Sequence, residues 1–412
     1  MQQTFHVQNF GCRASQADGA ALGSSLSAHG LASADRSTAD VVILNTCTVT
    51  ASADYDVRQT IRRVHRENPA ARILVTGCYA QRAPQELAEL PGVEWVVGNS
   101  HKTQIAEIVT AAPYHGNILV GDIFEQKSLP LFPILEAGPD RARPNLKIQD
   151  GCHNRCSFCV IPFVRGGNRY TPADQVVGQV HLLADRYREV VLTGINLGRW
   201  GRMPGSSNRL PDLLRRILGE TSVDRLRISS VEPMDFSDDL LGLVADSPRI
   251  AQHVHAPLQS GSDAVLRLMH RKYRPRHYAD RVEKARRLMP DAAIGADVMT
   301  GFPGETDALF EESRQFIEQM PLTYLHVFTY SERPGTKAVE LPGVVPVDVR
   351  RERNRILREL GEAKTRAFRE RFTGRTLSAV TLEQPRTALT TNFLHVHLDY
   401  EVAPNSLIDV VL

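Results

Sequence analysis

Apolar, strand-like runs alternate with helix-like stretches in the first part of this 412-residue chain. Three of these runs lead to a cysteine: Thr4–Phe10 to Cys12, Val41–Leu44 to Cys47, and Ile73–Val75 to Cys78. Such alternation predicts a βαβαβα unit with a parallel sheet, whose strands all end on one edge. We therefore expect these cysteines, distant in sequence, to converge where such sheets bind ligands. The alternative, buried and inert cysteine, is common for a single residue but less so for three at equivalent strand ends.

The remaining elements of this region complete one predicted domain over residues 1–113. Helical spacing is found in Ser15–His29, Ala53–Asn68 and Pro84–Leu90, and Glu94–Gly98 and Lys102–Ala111 predict a fourth strand and a closing helix. The stretch that follows, 114–143, is rich in Pro and Gly, which rules out a long helix there. We interpret 114–143 as a linker to a second domain.

A second group of cysteines stands close together in sequence as C-x3-C-x2-C, formed by Cys152, Cys156 and Cys159. One loop of this length can wrap a single metal cluster, and three thiolates on a four-iron cubane leave one iron open to another ligand. A structural zinc site is the alternative, but the loop has no fourth cysteine or suitably spaced histidine to complete a tetrahedron. His153 lies inside the run and is badly placed for that role. The spacing therefore favours an iron-sulfur cluster.

The composition is that of a globular, cytoplasmic protein. The N-terminus has neither a basic start nor an apolar segment, and no stretch approaches the roughly 18 apolar residues of a membrane span. We therefore expect no membrane association. In a reducing compartment the 6 cysteines are more readily explained as ligands or catalytic groups than as disulfides.

Residues 144–373 show strand-helix alternation again. The predicted strands are Leu146–Gln149, Glu189–Thr193, Leu226–Ser229, His253–Ala256, Ala293–Met299 and Tyr324–Thr329. The predicted helices are Asp174–Arg188, Leu210–Leu218, Asp263–His270, His277–Met289 and Asp307–Glu318. This succession predicts a parallel, partial (β/α)6 barrel with its chemistry at the carboxyl ends of the strands.

Several polar residues lie in or just after these strands. Asp297 is informative because a carboxylate in an otherwise apolar strand needs a hydrogen-bonding partner if it points into the barrel. Glu232 precedes Pro233, and a solvated loop carboxylate is one interpretation there. His253 and His255 alternate on one strand, and we predict hydrogen-bonded histidines rather than metal ligands. Arg333 follows the last strand, where it either clamps an anionic group or faces water.

Positive charge is concentrated in two stretches, although the net charge is only +2. The first comprises Arg267, His270, Arg271, Lys272, Arg274 and Arg276; the second comprises Arg350, Arg351, Arg353, Arg355, Arg358, Lys364, Arg366, Arg369, Arg371 and Arg375. On a helix, such residues often form only a salt-bridged, solvated face. The alternative is a surface for a polyanion, whose phosphates Arg and Lys contact.

The chain changes character at residue 374. Thr376–Leu382, Phe393–Leu398 and Leu407–Val411 predict short β strands separated by proline-containing breaks. Residues 374–412 are too few to hold a strong core alone, so we expect this small β module to pack on the barrel.

Several motifs together resemble the radical S-adenosylmethionine (SAM) methylthiotransferases over essentially the whole chain. Besides the cysteines they are Gln149–Cys152, Ile161–Gly166, Pro257–Asp263, Thr300–Glu305 and Tyr330–Thr336. The resemblance implies a radical SAM barrel, an enzyme that uses SAM and two [4Fe-4S] clusters, and a C-terminal TRAM-like RNA-binding module. It further implies Cys12, Cys47 and Cys78 as ligands of one cluster, with Cys152, Cys156 and Cys159 holding the other. Asn196, Glu232 and Asp297 are implied as SAM-side residues, and Glu232 as an alternative contact for the substrate.

Within this family, Arg225–Pro233 resembles the branch that acts on N6-threonylcarbamoyladenosine in tRNA. The implied activity is insertion of a methylthio group at carbon-2 of that nucleoside at position 37. The implied partners are the tRNA anticodon loop, a sulfur donor, and an electron donor such as flavodoxin or ferredoxin. The sequence departs from the family at Ser15, where Asn is usual, and in its short C-terminal module.

Two other functions remain open from sequence. One is methylthiolation of N6-isopentenyladenosine at position 37 of tRNA, the activity of a sister branch of the family. The other is an RNA-binding protein in which the clusters are only structural.

Overall fold

The computed structural model describes residues 2–110, 117–129, 134, 141–202 and 207–412. Its first part is a six-stranded parallel sheet with the order β2-β1-β3-β4-β5-β6. The strands are β1 Thr4–Asn9, β2 Ala32–Ser33, β3 Val41–Thr46, β4 Arg72–Gly77, β5 Val93–Gly98 and β6 Ile118–Leu119. The helices are α1 Arg13–Ala28, α2 Ala51–Glu67, α3 Cys78–Arg82, α4 Pro84–Ala88 and α5 Ile105–Thr110. Because the strand order reverses between β1 and β3, the carboxyl ends of these two strands flank a crevice suited to a ligand.

The second part contains six strands in parallel βα succession and one short antiparallel strand. The strands are β7 Asn145–Asp150, β8 Arg169–Tyr170, β9 Glu189–Gly194, β10 Arg225–Ile228, β11 His253–His255, β12 Ala293–Thr300 and β13 Tyr324–Thr329. The helices are α6 Ile161–Arg165, α7 Ala173–Ala184, α8 Leu210–Glu220, α9 Asp238–Asp246, α10 Asp263–Leu268, α11 Pro275–Leu288 and α12 Asp307–Gln319. A parallel bridge between Leu226 and Ile250 joins the sheet β10-β9-β7-β8 to the sheet β11-β12-β13. In the described part of the chain β7 and β13 are not paired, so the barrel is partial, as predicted.

Helix α1 belongs to the first sheet in sequence but packs against the barrel as well. It contacts β7 and β9, and Ala20 and Ala21 pack against the core cluster of the barrel. The opposite side of the helix contributes Leu22 and Leu26 to the core of the first domain. One helix is therefore shared by two hydrophobic cores.

A long helix, α13 Val347–Glu370, packs on β13 and leads to the C-terminal sheet. That sheet is antiparallel, in the order β16-β15-β14-β17, from β14 Thr376–Thr381, β15 Thr387–Thr390, β16 His395–His397 and β17 Leu407–Val411. The elements that were not predicted are strands β2, β6, β8 and β15 and helices α3, α6 and α9. Helix α9 is nevertheless ordinary in its local chemistry, since Ser237 caps its N-terminus and Leu240, Leu241 and Val244 are buried.

The mixed α/β fold class is thus confirmed. Within the predicted linker, 114–116, 130–133 and 135–140 lie outside the described residues, while Ile118–Leu119 pairs with β5. The exact domain boundaries therefore stay a prediction. None of the described helices has the length and apolar character needed to cross a membrane.

A buried ion pair joins the barrel to the C-terminal sheet. Glu189 and Arg227 are both fully buried, and Arg227 Nε donates to Glu189 Oε1 at 2.8 Å. The same guanidinium donates to the carbonyl oxygens of Thr390 and Thr391, at 3.0 and 3.3 Å. Burial raises the pKa of Glu189, but Arg227 and Arg143 outweigh it and hold the pKa at about 2. A carboxylate that must stay ionised therefore anchors the module.

We predict that Glu189→Gln flattens the acid limb of the stability profile. The folded-state pKa is depressed from 4.5 to about 2, so the carboxylate stabilises the fold above pH 4.5 and loses that effect as the pH falls toward 2. Over that window it contributes about 3 kcal/mol. The variant also leaves Arg227 buried without its counter-ion, which costs about 3–5 kcal/mol at neutral pH. Urea unfolding between pH 2 and 7 measures both effects.

The matched control is Glu220→Gln, because Glu220 pairs with Arg216 on the exposed face of α8. It should leave the profile nearly unchanged. An unaltered acid limb in Glu189→Gln would contradict the assignment.

Candidate metal centres and the space between them

The first cysteine group forms at the carboxyl ends of β1, β3 and β4. Gly11 and Gly77, which precede Cys12 and Cys78, have φ of +92° and +96°. A Cβ at Gly11 would lie 2.7 Å from Cys47 Cβ, and one at Gly77 would lie 2.5 Å from the Thr46 carbonyl oxygen. Only glycine combines this backbone conformation with so close an approach. The two glycines therefore allow the chain to bring the cysteines together.

The thiols of this group influence one another electrostatically. Burial raises the pKa of Cys47 to about 12, and the proximity of Cys78 and Cys12 adds to the rise. A thiol whose pKa is raised in this way becomes a thiolate ligand when a metal cation offsets its charge. Cys78 also receives two hydrogen bonds, from Arg165 Nε at 3.2 Å and from Asn99 Nδ2 at 3.7 Å. Convergent thiols with donors aimed at sulfur fit an iron-sulfur cluster.

Ser15, the residue that departs from the family, lies beside this group. Its Oγ is 3.8 Å from Cys12 Sγ and accepts a hydrogen bond from Arg165 Nη2 at 3.3 Å. Ser15 therefore keeps a polar contact near the sulfur.

The second cysteine group lies in the loop after β7. Cys156 Sγ accepts a hydrogen bond from Arg271 Nη1 at 3.2 Å, and Cys152 Sγ accepts one from Asn196 Nδ2 at 3.7 Å. Burial raises the pKa of Cys159 to about 12, with Cys156 adding to the rise. Like the first group, the second contains a thiol with a raised pKa and side-chain donors aimed at sulfur. Its three cysteines therefore also fit an iron-sulfur cluster.

One buried guanidinium connects the two groups. Arg165 is 1% exposed, and besides Cys78 it binds Asp150 at 3.1 Å and Asp18 at 3.1 Å. Asp150 ends β7 two residues before Cys152, and Asp18 lies on α1 after Cys12. Arg165 thus links the chain segments that carry the two cysteine groups.

The predicted cofactor residue Glu232 lies beside the second group. It forms an ion pair with Arg271, the same arginine that contacts Cys156. Burial raises the pKa of Glu232, and Arg271 opposes the rise. Cys156, Glu232, Arg271 and neighbouring residues line one small pocket. Asn196 and Glu232 therefore both lie near the cysteine loop, and their role toward SAM stays a prediction.

The third predicted residue, Asp297, lies elsewhere in the barrel. His255 Nε2 and His326 Nδ1 lie 3.1 and 3.2 Å from its Oδ1. The hydrogen-bonding partner expected for a carboxylate in this strand is therefore present. His253 is also hydrogen-bonded, to the Tyr324 hydroxyl at 2.7 Å, as predicted for these histidines.

The donor atoms of His255, Asp297 and His326 lie within 4.8 Å of one another, close enough to hold a metal ion. Burial lowers the pKa of the adjacent His253 well below its usual value, and the cations Arg227 and Arg13 lower it further.

Several arginines of the two cationic stretches form specific, buried contacts that the sequence did not indicate. Arg271 binds Cys156 and Glu232, and Arg350 and Arg353 are each 5% exposed. Arg353 pairs with Glu305 and Asp307, while Arg355 pairs with Glu352 and Glu359 on the exposed face of α13. Arg333 binds Asp54 of the first domain, so the anion that it clamps is supplied by the chain itself.

Arg165 and Asn99, which both donate to Cys78 Sγ, are residues of the site that sequence reasoning missed. Arg165 lies in the Ile161–Gly166 motif, which carried the resemblance without a role for this side chain. The only available signal was an arginine next to an apolar turn. Its partners come from three distant segments, so no local pattern could have identified them.

Comparison with known proteins places this geometry in a family. Residues 4–98 match the family described as "Uncharacterized protein family UPF0004", and residues 146–317 match the "Radical SAM superfamily". The chain is 39% identical over 361 residues to "Threonylcarbamoyladenosine tRNA methylthiotransferase MtaB" of Aquifex aeolicus (strain VF5), covering 87% of each chain. It is 38% identical over 354 residues to the protein of that name from Bacillus subtilis (strain 168), covering 83% of this chain and 76% of the relative.

A solved structure shares the fold at much lower identity. The radical S-adenosylmethionine methyltransferase TsrM from Kitasatospora setae, with cobalamin and a [4Fe-4S] cluster bound, aligns with a TM-score of 0.59 at 15% identity. The alignment covers 82% of this chain and 77% of that one. That structure shows the shared fold, and the two relatives at 38 and 39% identity settle the classification: the chain belongs to the radical SAM methylthiotransferase family.

Proposed function

We propose that this enzyme inserts a methylthio group at carbon-2 of N6-threonylcarbamoyladenosine at position 37 of tRNA. The observation that carries the proposal is that all 6 cysteines fall into two groups of three, linked through Arg165. The names of the relatives at 38 and 39% identity support the choice of tRNA nucleoside. The carbon to be modified carries an unactivated hydrogen, which acid-base chemistry does not replace.

The proposal assigns a [4Fe-4S] cluster to each cysteine group. Cys12, Cys47 and Cys78 hold one, and Cys152, Cys156 and Cys159 hold the other. When bound, the second cluster and SAM supply a deoxyadenosyl radical, and the first cluster holds the sulfur to be transferred. The side chains of this chain act around them: Arg165 and Arg271 donate to thiolate sulfur and thereby stabilise its charge. Asn196, Glu232 and Asp297 are proposed to orient SAM.

The proposal also includes the partners and the division of the chain. The tRNA anticodon loop presents its base in splayed form, as proteins commonly read single-stranded bases. A sulfur donor and an electron donor such as flavodoxin or ferredoxin complete the reaction. The domains comprise residues 1–113, 144–373 and 374–412, with 114–143 between them.

Substitution of the cysteines should separate the two centres. Cys47→Ala should retain 5′-deoxyadenosine formation from SAM but lose methylthiolation by at least about 100-fold, because loss of even an outer-shell partner costs about 10–100-fold. Cys156→Ala should lose both activities. Anaerobic reconstitution with SAM and dithionite, followed by chromatography of the nucleosides, measures the two products.

Two results would contradict this assignment. If Cys12→Ala, Cys47→Ala and Cys78→Ala all still methylthiolate tRNA, the two-cluster mechanism is wrong. If the wild-type protein forms no 5′-deoxyadenosine, a structural role for the clusters in an RNA-binding protein replaces it.

The nucleoside can be tested in cells. In a strain that lacks the gene, mass spectrometry of tRNA nucleosides should show loss of the methylthiolated threonylcarbamoyl form with the isopentenyl form intact. The reverse pattern would identify N6-isopentenyladenosine as the substrate.

The backbone at Gly77 offers a prediction about the first cysteine group. Gly77→Ala places a Cβ 2.5 Å from the Thr46 carbonyl oxygen at φ +96°, so the backbone before Cys78 must shift. We expect a loss of about 1–3 kcal/mol in the free energy of unfolding and of up to half the iron bound per chain. Urea unfolding and iron analysis measure the two effects.

Gly178→Ala is the matched control, because nothing lies within 4 Å of a Cβ built at Gly178 in α7. It should stabilise the protein by about 0.5–1 kcal/mol and leave the iron content unchanged. Equal iron content in both variants would show that the Gly77 backbone does not position Cys78.

A further inference from the structure

Arg13 follows Cys12 directly and is the first residue of α1. It is half-buried, and among the residues that the structure describes its side chain has no hydrogen bond or ion pair. Most other buried or half-buried arginines of this region, such as Arg165, Arg227 and Arg271, each bind a carboxylate. Burying a guanidinium without a partner costs free energy, so we expect Arg13 to bind a ligand.

The helix geometry determines where this side chain points. Gln16 lies three residues further along α1, on the same face, and its Oε1 accepts a hydrogen bond from Asn145 Nδ2 at 3.2 Å at the start of β7. Ala20, one turn beyond Gln16, packs against the barrel core. The face that carries Arg13 is therefore the face turned toward the barrel.

Glu189, one of the carboxylates inside the barrel, is already shared among several cations. Glu189 pairs with Arg143 at 2.9 Å, Arg225 at 3.7 Å and Arg227 at 2.8 Å. Glu189 also acts electrostatically on Arg13, which makes Arg13 the fourth cation under the influence of this carboxylate. The barrel floor thus carries an excess of positive charge that would be balanced by a bound anion.

Tyr324 lies beside the exposed part of the interior. Its ring centroid is 5.2 Å from that of His326, and Arg13 acts on it electrostatically. The side chain of His326 is 50% exposed, and that of Asp297, 3.2 Å away, is 24% exposed. The positive charge of Arg13 therefore acts on the part of the barrel that a substrate can reach.

We propose that Arg13 binds the carboxylate of the substrate's threonyl group and so selects N6-threonylcarbamoyladenosine over adenosines with a neutral N6 substituent. The inference rests on the proposed function. A guanidinium matches a carboxylate in a planar, two-point hydrogen-bonding geometry. Since Arg13 adjoins Cys12, this contact would place the base beside the first cysteine group.

The test compares two anticodon stem-loop RNAs, one with N6-threonylcarbamoyladenosine and one in which its carboxylate is a neutral carboxamide. The wild-type, reconstituted full-length protein should prefer the carboxylate RNA by about 10- to 100-fold in Kd and in kcat/KM. Arg13→Met should bind both RNAs with the Kd that the wild type has for the carboxamide RNA. Arg13→Lys keeps the positive charge but not the planar, two-point hydrogen-bonding geometry, so it should retain part of the preference for the carboxylate RNA.

Two controls separate this role from a structural one. Arg36→Met removes an arginine that pairs with Glu67 on the surface of the same domain, and it should keep the full preference. Iron content and SAM cleavage without RNA should be unchanged in Arg13→Met. If Arg13→Met loses iron, Arg13→Lys is used in its place. If Arg13→Lys then prefers the carboxylate RNA as strongly as the wild type does, the inference is overturned.

Other outcomes are equally decisive. Retention of the full preference by Arg13→Met, or an equal loss on both RNAs, overturns the inference. If the wild type binds the carboxylate RNA preferentially but methylthiolates neither RNA, the proposed function fails while the carboxylate site stands. If the wild type shows no preference in binding, the carboxylate site fails even where methylthiolation occurs.

Discussion

The arrangement of this protein depends on the buried guanidinium of Arg165. It touches a cysteine of the first group, a carboxylate on α1 and the carboxylate that ends β7. Burial lowers the pKa of this guanidinium, but Asp150, Cys78 and Asp18 raise it well above its usual value. Each of these groups would be costly to bury alone, because an unpaired charge is strongly disfavoured in the interior. The ion pairs therefore hold the two sheets in one relative position.

The second cysteine group uses the same arrangement. Arg271 contacts the sulfur of Cys156 and pairs with Glu232, as Arg165 contacts Cys78 and pairs with acidic residues. In both places a guanidinium stabilises the charge of a thiolate, and a carboxylate orients that guanidinium. Sulfur ligands surrounded in this way have their electrostatic environment set by the protein before any cluster is present.

Much of this was predictable because the relevant signals are local. Strand and helix periodicity predicted the sheet and the barrel, and the positions of Cys12, Cys47 and Cys78 after three strands predicted their convergence. The roles of the arginines were not predictable, because Arg165, Arg350 and Arg353 find their partners only in the tertiary structure. In sequence a buried, paired arginine and a solvated one look alike. Arg13 differs from them because its side chain has no hydrogen-bonding or ion-pair partner in the described part of the chain, and a missing partner cannot be recognised in a sequence.

Helix α1 has a consequence for biosynthesis because two cores share it. It is complete at Ala28, yet the strand β9 that it contacts ends only at Gly194. At a synthesis rate of about 5–20 residues per second, its barrel-facing side waits on the order of ten seconds for a partner. That side is built from Arg13, Gln16 and small alanines rather than from large apolar residues, so the nascent chain exposes little that would attract misfolding.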